Sequence, residues 1–229
     1  MNIMKKYKKK FNMFKAILDK DDPVILEIGA HFGEDSMRFA QVFPNAIIHC
    51  FEPDPRCIEI FKKHVKGDNI FLYEVALSNV VGELEFFQSF NSEEQITPEK
   101  YDWISNEDYE SLKLGNSGSS SLKKGYDKIL SETIKVKAVT YNNWSIKNNI
   151  DQVDLAWIDV QGAEKDVLDG MGKRIKHINF LWIEFGEMSY EDALSRKDTI
   201  EYMKSKGFKI IEHFSSQGLS GDLLFKREK

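Results

Sequence analysis

Val24-Ile25-Leu26-Glu27-Ile28-Gly29-Ala30-His31-Phe32-Gly33 is the stretch from which the rest of the chain can be read. An apolar run that ends in a carboxylate and two glycines predicts a strand buried on both faces, the habit of parallel sheets covered by helices. Gly29 and Gly33 stand where that strand gives way to a helix. Glycine there lets backbone N–H groups approach a ligand with no Cβ in the way.

The next apolar run, Ala46 to Phe51, ends in Glu52, nineteen residues beyond Gly33. In doubly wound sheets an acid at the tip of the second strand, about twenty residues past the glycine turn, accepts hydrogen bonds from the ribose hydroxyls of a bound nucleoside. The turn reads Glu27-x-Gly29-x-x-x-Gly33, not the dinucleotide pattern G-x-G-x-x-G. Glu27 would repel a pyrophosphate and suits a cationic ligand such as the amino group or sulfonium of S-adenosylmethionine.

Composition fits a single α/β domain over residues 1–229, since a chain of this length can bury one sizeable core. Hydrophobic residues make up 41% and charged residues 30%, with a net charge of −5, which gives no global affinity for nucleic acid. No apolar run is long enough for a membrane span. Met1 to Lys10 lacks the apolar core and cleavage site of a secretory signal, so a cytoplasmic protein is expected. Cys50 and Cys57 lack C-x-x-C spacing and read as reduced, structural thiols. Lysines among Met, Tyr, Phe and Leu in residues 1–20 predict an amphipathic N-terminal helix with a solvated basic face.

From Asp21 onward strand and helix alternate. Val24 to Ile28, Ala46 to Phe51 and Ile70 to Glu74 are predicted strands, with helices over Glu34 to Val42 and Arg56 to about Val65, the second started by Pro53-Asp54-Pro55. This order predicts a parallel sheet with right-handed crossovers. Glu83 to Phe87 and Thr133 to Val139 read as two added strands. Between them, residues 88–131 are rich in Ser, Asn, Glu and Gly and read as too polar to form core, hence as a lid or a disordered loop. Alternation resumes with Asp154 to Ile158, which ends in Asp159, and Phe180 to Phe185, which has Glu184 near its end. A helix over Glu191 to Lys206 and two closing strands, Lys209 to Phe214 and Asp222 to Arg227, complete the chain. That hairpin places one antiparallel strand at the end of an otherwise parallel sheet.

Taken in this order the chain resembles the FkbM-type S-adenosylmethionine-dependent methyltransferases. The resemblance runs from about Val24 to Phe225. It rests on Glu27 to Gly33, Phe51-Glu52-Pro53, Val75-Ala76-Leu77-Ser78, Ser119-Ser120-Ser121-Leu122 and, most specifically, Trp157-Ile158-Asp159-Val160-Gln161-Gly162-Ala163-Glu164 with Leu168 and Gly170. Three positions depart from the family pattern: Trp157 replaces a lysine, Gln161 a glutamate, and His31 an asparagine. The resemblance implies a class I methyltransferase (Rossmann-like) fold. This is a seven-stranded, mostly parallel sheet with one antiparallel strand, helices on both faces, and an insertion between strands three and four. It also implies O-methylation of a hydroxyl on a sugar, a glycan or a small secondary metabolite. Glu27, Gly29, Ala30, His31, Gly33, Glu52, Pro53, Ala76 and Leu77 are then the expected cofactor contacts.

In open α/β sheets ligands bind beyond the carboxyl ends of the strands, where Glu27, Glu52, Asp159 and Glu184 should gather. Asp159 and Glu184 are the expected catalytic carboxylates, as general base for the acceptor hydroxyl or as oxygen ligands of a divalent cation, which no spacing demands. Of the histidines, His31 lies in a motif and His213 near the last hairpin, and either could move a proton near neutral pH. The departures at Trp157 and Gln161 also admit a catalytically silent nucleoside-binding module. Glu27 and the closing hairpin disfavour a nicotinamide-dependent oxidoreductase.

Overall fold

The computed structural model describes residues 3–90, 101–126, 130–186, 190–215 and 220–228. Seven of its strands form one sheet in the order β3-β2-β1-β7-β8-β10-β9. They are β1 (Val24–Ile28), β2 (Ile47–Phe51), β3 (Ile70–Tyr73), β7 (Val153–Ile158), β8 (Ile178–Gly186), β9 (Phe208–Ser215) and β10 (Ser220–Arg227). All adjoining pairs are parallel except those made by β10. The antiparallel strand therefore sits second from the edge, not at the edge as the sequence reading had it. Helix α7 (Arg196–Ser205) leads to β9 at the edge of the sheet, and β10 pairs between β8 and β9.

Strand residues alternate between two cores, as a pleat of period two requires. One face buries Leu26, Ile28, Phe51, Ala156, Ile158, Leu181 and Ile183 beneath α5 (Tyr141–Lys147), α6 (Glu164–Met171) and α7. The other buries Ile25, Ile48, Cys50, Leu155, Trp157 and Trp182 beneath α1 (Ile3–Leu18), α2 (Glu34–Val42) and α3 (Pro55–His64). Trp157 and Trp182, direct neighbours on β7 and β8, stack at 5.0 Å and 7°.

Helix boundaries follow local chemistry. Asp54 caps α3, accepting from the Arg56 backbone N–H at 3.0 Å, with Pro55 in the first turn as expected. α7 starts at Arg196, five residues later than Glu191, because the Ser195 hydroxyl caps the Asp198 N–H at 3.1 Å.

A second sheet of three strands, β4 (Ala76–Leu77), β6 (Leu130–Val139) and β5 (Gly82–Phe90), packs beside the first. Between β5 and β6, residues 101–126 overturn the expectation of a segment too polar for core. Ile104, Tyr109 and Leu114 are buried against Phe32, Cys57 and Ile60. The segment forms α4 (Asn106–Ser111) and a 3-10 turn (Leu114–Ser119), and Ser121 then bridges to Phe87. Residues 91–100 and 127–129 of the insertion lie outside the described residues. No helix among the described residues is long and apolar enough to cross a membrane.

Candidate active site

Register gathers the carboxylates. Ile28 pairs with Phe51 on one side and Ile158 on the other, and Ile158 pairs with Ile183. The residues that follow, Gly29, Glu52, Asp159 and Glu184, therefore lie along one edge of the sheet. β1 is also the switch point, since the chain runs outward to β2 and β3 on one side and to β7 and β8 on the other, which opens a crevice there. A cavity of about 260 Å³ occupies it, close to the lower end of the range for small-molecule sites. Glu27, Gly29, Ala30, His31, Glu52, Pro53, Ala76, Leu77 and Asp159 line it, together with Gln161, Glu34, Asp35, Trp157, Tyr101 and Ser117.

Two expected residues do not line the cavity. Gly33, at φ +84, packs its Cα against α3, and a Cβ there would meet Val65 at 2.4 Å and Phe61 at 2.7 Å. Helix packing therefore requires a glycine there. Glu184 stands behind Asp159. The Gln161 amide joins them, with Nε2 donating to Asp159 Oδ1 and Glu184 Oε2, each at 2.7 Å, while the Tyr190 hydroxyl shares its one proton between the Ser119 carbonyl at 3.0 Å and Gln161 Oε1 at 3.1 Å. Burial, then the Asp159 charge, pushes the Glu184 carboxyl well above the usual range. Glu164 closes the turn by accepting from the Val160 and Gly162 N–H groups at 3.2 and 3.1 Å, and burial raises it to about 7.

At the other end the glycine turn is tightly specified. Gly29 has φ +88, and a Cβ on it would lie 1.8 Å from the Asp159 carbonyl oxygen. The turn delivers the His31 N–H to Glu52 Oε2 at 2.7 Å, and the Asp54 N–H reaches Oε1 at 2.8 Å. Burial still raises Glu52 to about 7. Glu27 is 2% exposed and accepts from the Ser36 hydroxyl. Burial first, then Asp35, pushes it well above the usual range. Its charge thus requires a cation alongside.

The His31 side chain has its own bonds, which the sequence did not signal. Nδ1 lies 3.1 Å from Glu34 Oε1 and Nε2 2.9 Å from Ser117 Oγ in the insertion. Tyr101 donates to the same Glu34 oxygen at 2.7 Å. Burial would raise Glu34, but His31 and Tyr101 more than reverse this and hold it at about 2. Burial likewise lowers His31, and Glu34, with Glu52 and Asp54, outweighs it and leaves His31 above its ordinary value.

Arg56 fixes the insertion from α3. It forks onto Asp54, with Nε–Oδ1 at 3.1 Å and Nη2–Oδ2 at 2.7 Å, and also donates to the backbone oxygens of Ser89 and Lys113 and to Ser120 Oγ, each at 3.1 Å.

His213 does not line the cavity, and its ring stacks on Phe185 at 6.2 Å. Among the described residues no group of three or more His, Cys, Asp or Glu side chains is arranged to hold a metal ion. Glu34, Ser117 and Tyr190 were missed by sequence reasoning, and each reaches the site from a segment without a motif.

Comparison with known proteins agrees with this architecture. The family described as Methyltransferase FkbM domain matches residues 27–210. A 2-O-methyltransferase, NoeI of Sinorhizobium fredii, is 31% identical over 224 residues, covering 93% of this chain and 83% of that protein. Methyltransferase sdnD of Sordaria araneosa is 26% identical over 161 residues, 66% of this chain and 61% of its own. Among solved structures, methyltransferase FkbM from Methylobacillus flagellatus KT superposes with a TM-score of 0.53 at 13% identity, which speaks for the fold. That match covers 90% of this chain and 44% of that one, so the chain spans under half of its length. The chain belongs to the FkbM methyltransferase family.

Proposed function

We propose that this protein transfers a methyl group from S-adenosylmethionine to a hydroxyl of a sugar or glycan. The observation that carries the reading is the cavity at the switch point, with Glu27 and Glu52 at one end and the Asp159–Gln161–Glu184 array at the other. Glu52 would accept from the ribose hydroxyls, Gly29 to His31 would pass beneath the nucleoside, and Pro53, Ala76 and Leu77 would flank the base. Glu27 would face the cationic end, where a positive ligand favours its ionised form. When bound, the cofactor supplies an electrophilic methyl group on a sulfonium, open to in-line displacement by the acceptor oxygen.

Asp159 would take the hydroxyl proton as that oxygen attacks, beside Glu184, whose carboxyl burial shifts toward the neutral form. Gln161 fixes both carboxyl groups in one orientation, which is the positioning such a displacement requires. We give the pair to proton transfer and not to a divalent cation because Gln161 presents N–H donors between them, where a hard cation needs oxygens. Ser117 and Tyr101, bonded to His31 and Glu34 beside the glycine turn, make the insertion a wall of the cavity, and its closure would exclude water.

A sugar-like acceptor is supported by the 31% identical relative named a 2-O-methyltransferase. The net charge of −5 argues against nucleic acid. The unpaired thiols of Cys50 and Cys57 suit a cytoplasmic setting.

Calorimetric titration with S-adenosylhomocysteine, S-adenosylmethionine and NAD, followed by labelled-methyl transfer to a panel of glycans and small alcohols, tests the reading. S-adenosylhomocysteine should bind, NAD should not, and Asp159→Asn should lower turnover roughly 10²–10⁴-fold with cofactor affinity intact. Preference for NAD, or full turnover in Asp159→Asn, would overturn it. Cofactor binding without transfer to any acceptor would favour the silent module.

A further inference from the structure

Helix α1 reads as a basic, solvated helix, yet one of its lysines points inward. Phe14 is fully buried and packs edge-on against Trp157 and Trp182, with ring centroids 5.9 and 5.4 Å away. Lys10 lies one turn earlier on the same helix face, as positions i and i+4 do. Its ammonium lies 3.9 Å from the Trp157 ring centroid and 5.1 Å from that of Trp182, against both members of the stacked pair.

Charged groups surround it from three other elements: Asp35 and Arg38 of α2, Asp159 at the tip of β7, and Asp222 of β10, which also accepts from Trp182 Nε1 at 3.0 Å. Arg38 is paired with Asp35 at 2.6 Å. Trp157, Asp35 and Asp159 all line the cavity. Seating an ammonium against buried rings costs hydration, and the ring face and the surrounding carboxylates compensate.

We propose that Lys10 is a positioning residue of the methyl-transfer site, seated on Trp157 so that its positive charge stands beside Asp159 and its contact holds the indole in the cavity wall. The N-terminal helix is then part of the active site. The inference rests on Asp159 as the base. Burial lowers the Lys10 pKa, and the charges of Asp35, Asp222 and Asp159 oppose this.

The test compares Lys10→Met, which keeps the stem, with Lys10→Arg, which keeps the charge and stacks on indole, in the full-length protein. Lys10→Met should bind S-adenosylhomocysteine as the wild type does, lose about tenfold or more in kcat, and move the acid limb of the pH–rate profile up by about one unit. Lys10→Arg should restore most of both. Phe14→Leu, which loosens the helix without touching charge, should lower the melting temperature and leave the limb in place. If Lys10→Met does not fold, Lys10→Gln is read by the same criteria.

An unmoved acid limb with full turnover in a folded Lys10→Met or Lys10→Gln protein overturns the proposal, as does a limb shift in Phe14→Leu equal to theirs. Asp159→Asn, assayed in parallel, separates the two readings. Full turnover there removes the base assignment and this proposal together. Loss of turnover there with normal Lys10 variants removes this proposal alone.

Discussion

His31 Nε2 lies 2.9 Å from the Ser117 hydroxyl, which itself donates to the Leu114 carbonyl at 3.0 Å. A hydroxyl has one proton, so Ser117 must accept from the ring. Nδ1 faces a carboxylate oxygen, which also accepts. An imidazolium satisfies both contacts, and His31 joins the cofactor turn to the insertion.

The ¹⁵N shifts of His31 at pH 7 should accordingly report two protonated ring nitrogens. In Ser117→Ala, hydrogen exchange across residues 101–126 should quicken by a factor corresponding to about 1–3 kcal/mol of lost local stability. A neutral imidazole at pH 7, or unchanged exchange, would refute the latch.

Glu52 should make cofactor affinity depend on pH. Its carboxyl, raised to about 7 in the free protein, must be ionised to accept from ribose hydroxyls at full strength. Binding should release a proton near neutrality and tighten from pH 6 to pH 8, seen as a buffer-dependent enthalpy in calorimetry. Glu52→Gln should flatten that dependence and weaken S-adenosylhomocysteine by about 1.5–3 kcal/mol. Alanine is the poorer probe, because it would strand the His31 and Asp54 N–H groups as well.

Gln161→Glu replaces the amide between Asp159 and Glu184 with a third carboxylate. Two short hydrogen bonds are lost and like charges meet, for a cost of about 2–4 kcal/mol in thermal stability. Three carboxylates also make an oxygen site, so magnesium should restore part of the loss in the variant and leave the wild-type melting temperature unchanged. A variant as stable as wild type without magnesium would show that the bridge carries little weight.

The ligand-free protein should be more stable near pH 5 than at pH 8. Glu52 and Glu164 have folded pKa values of about 7 against 4.5, so between those limits the folded state binds more protons than the unfolded one. Stability from such groups is full below 4.5 and is lost as pH rises through 7, on the order of 1.4 kcal/mol per unit for each. His31, raised above 6.5, adds to the fall at higher pH. Glu34, at about 2, opposes it only below 4.5. Melting curves from pH 5 to pH 8 check the sign, and a rising melting temperature would contradict it.

Much of this architecture was legible because it rests on apolar runs with an acid at the end. Such runs mark both a doubly buried strand and its tip, which is why Glu52 and Asp159 could be placed before any coordinates. β4 escaped notice because Ala76–Leu77 is too short to show a period. The small core of the insertion was missed because Ile104, Tyr109 and Leu114 are scattered among polar residues and find their partners on α3 and Phe32, far off in sequence. Lys10 and Ser117 were hidden for a related reason. Their roles depend on which side chain lies opposite, and periodicity carries no such information.

Arg56 holds the insertion by the main-chain oxygens of Ser89 and Lys113, with Ser120 Oγ its one side-chain partner there. A grip on carbonyls is blind to residue identity. Ser89 and Lys113 can therefore change identity while this anchor holds, so the arginine leaves the sequence free at the points it grips and leaves residue-specific docking to the side-chain bonds of Tyr101 and Ser117.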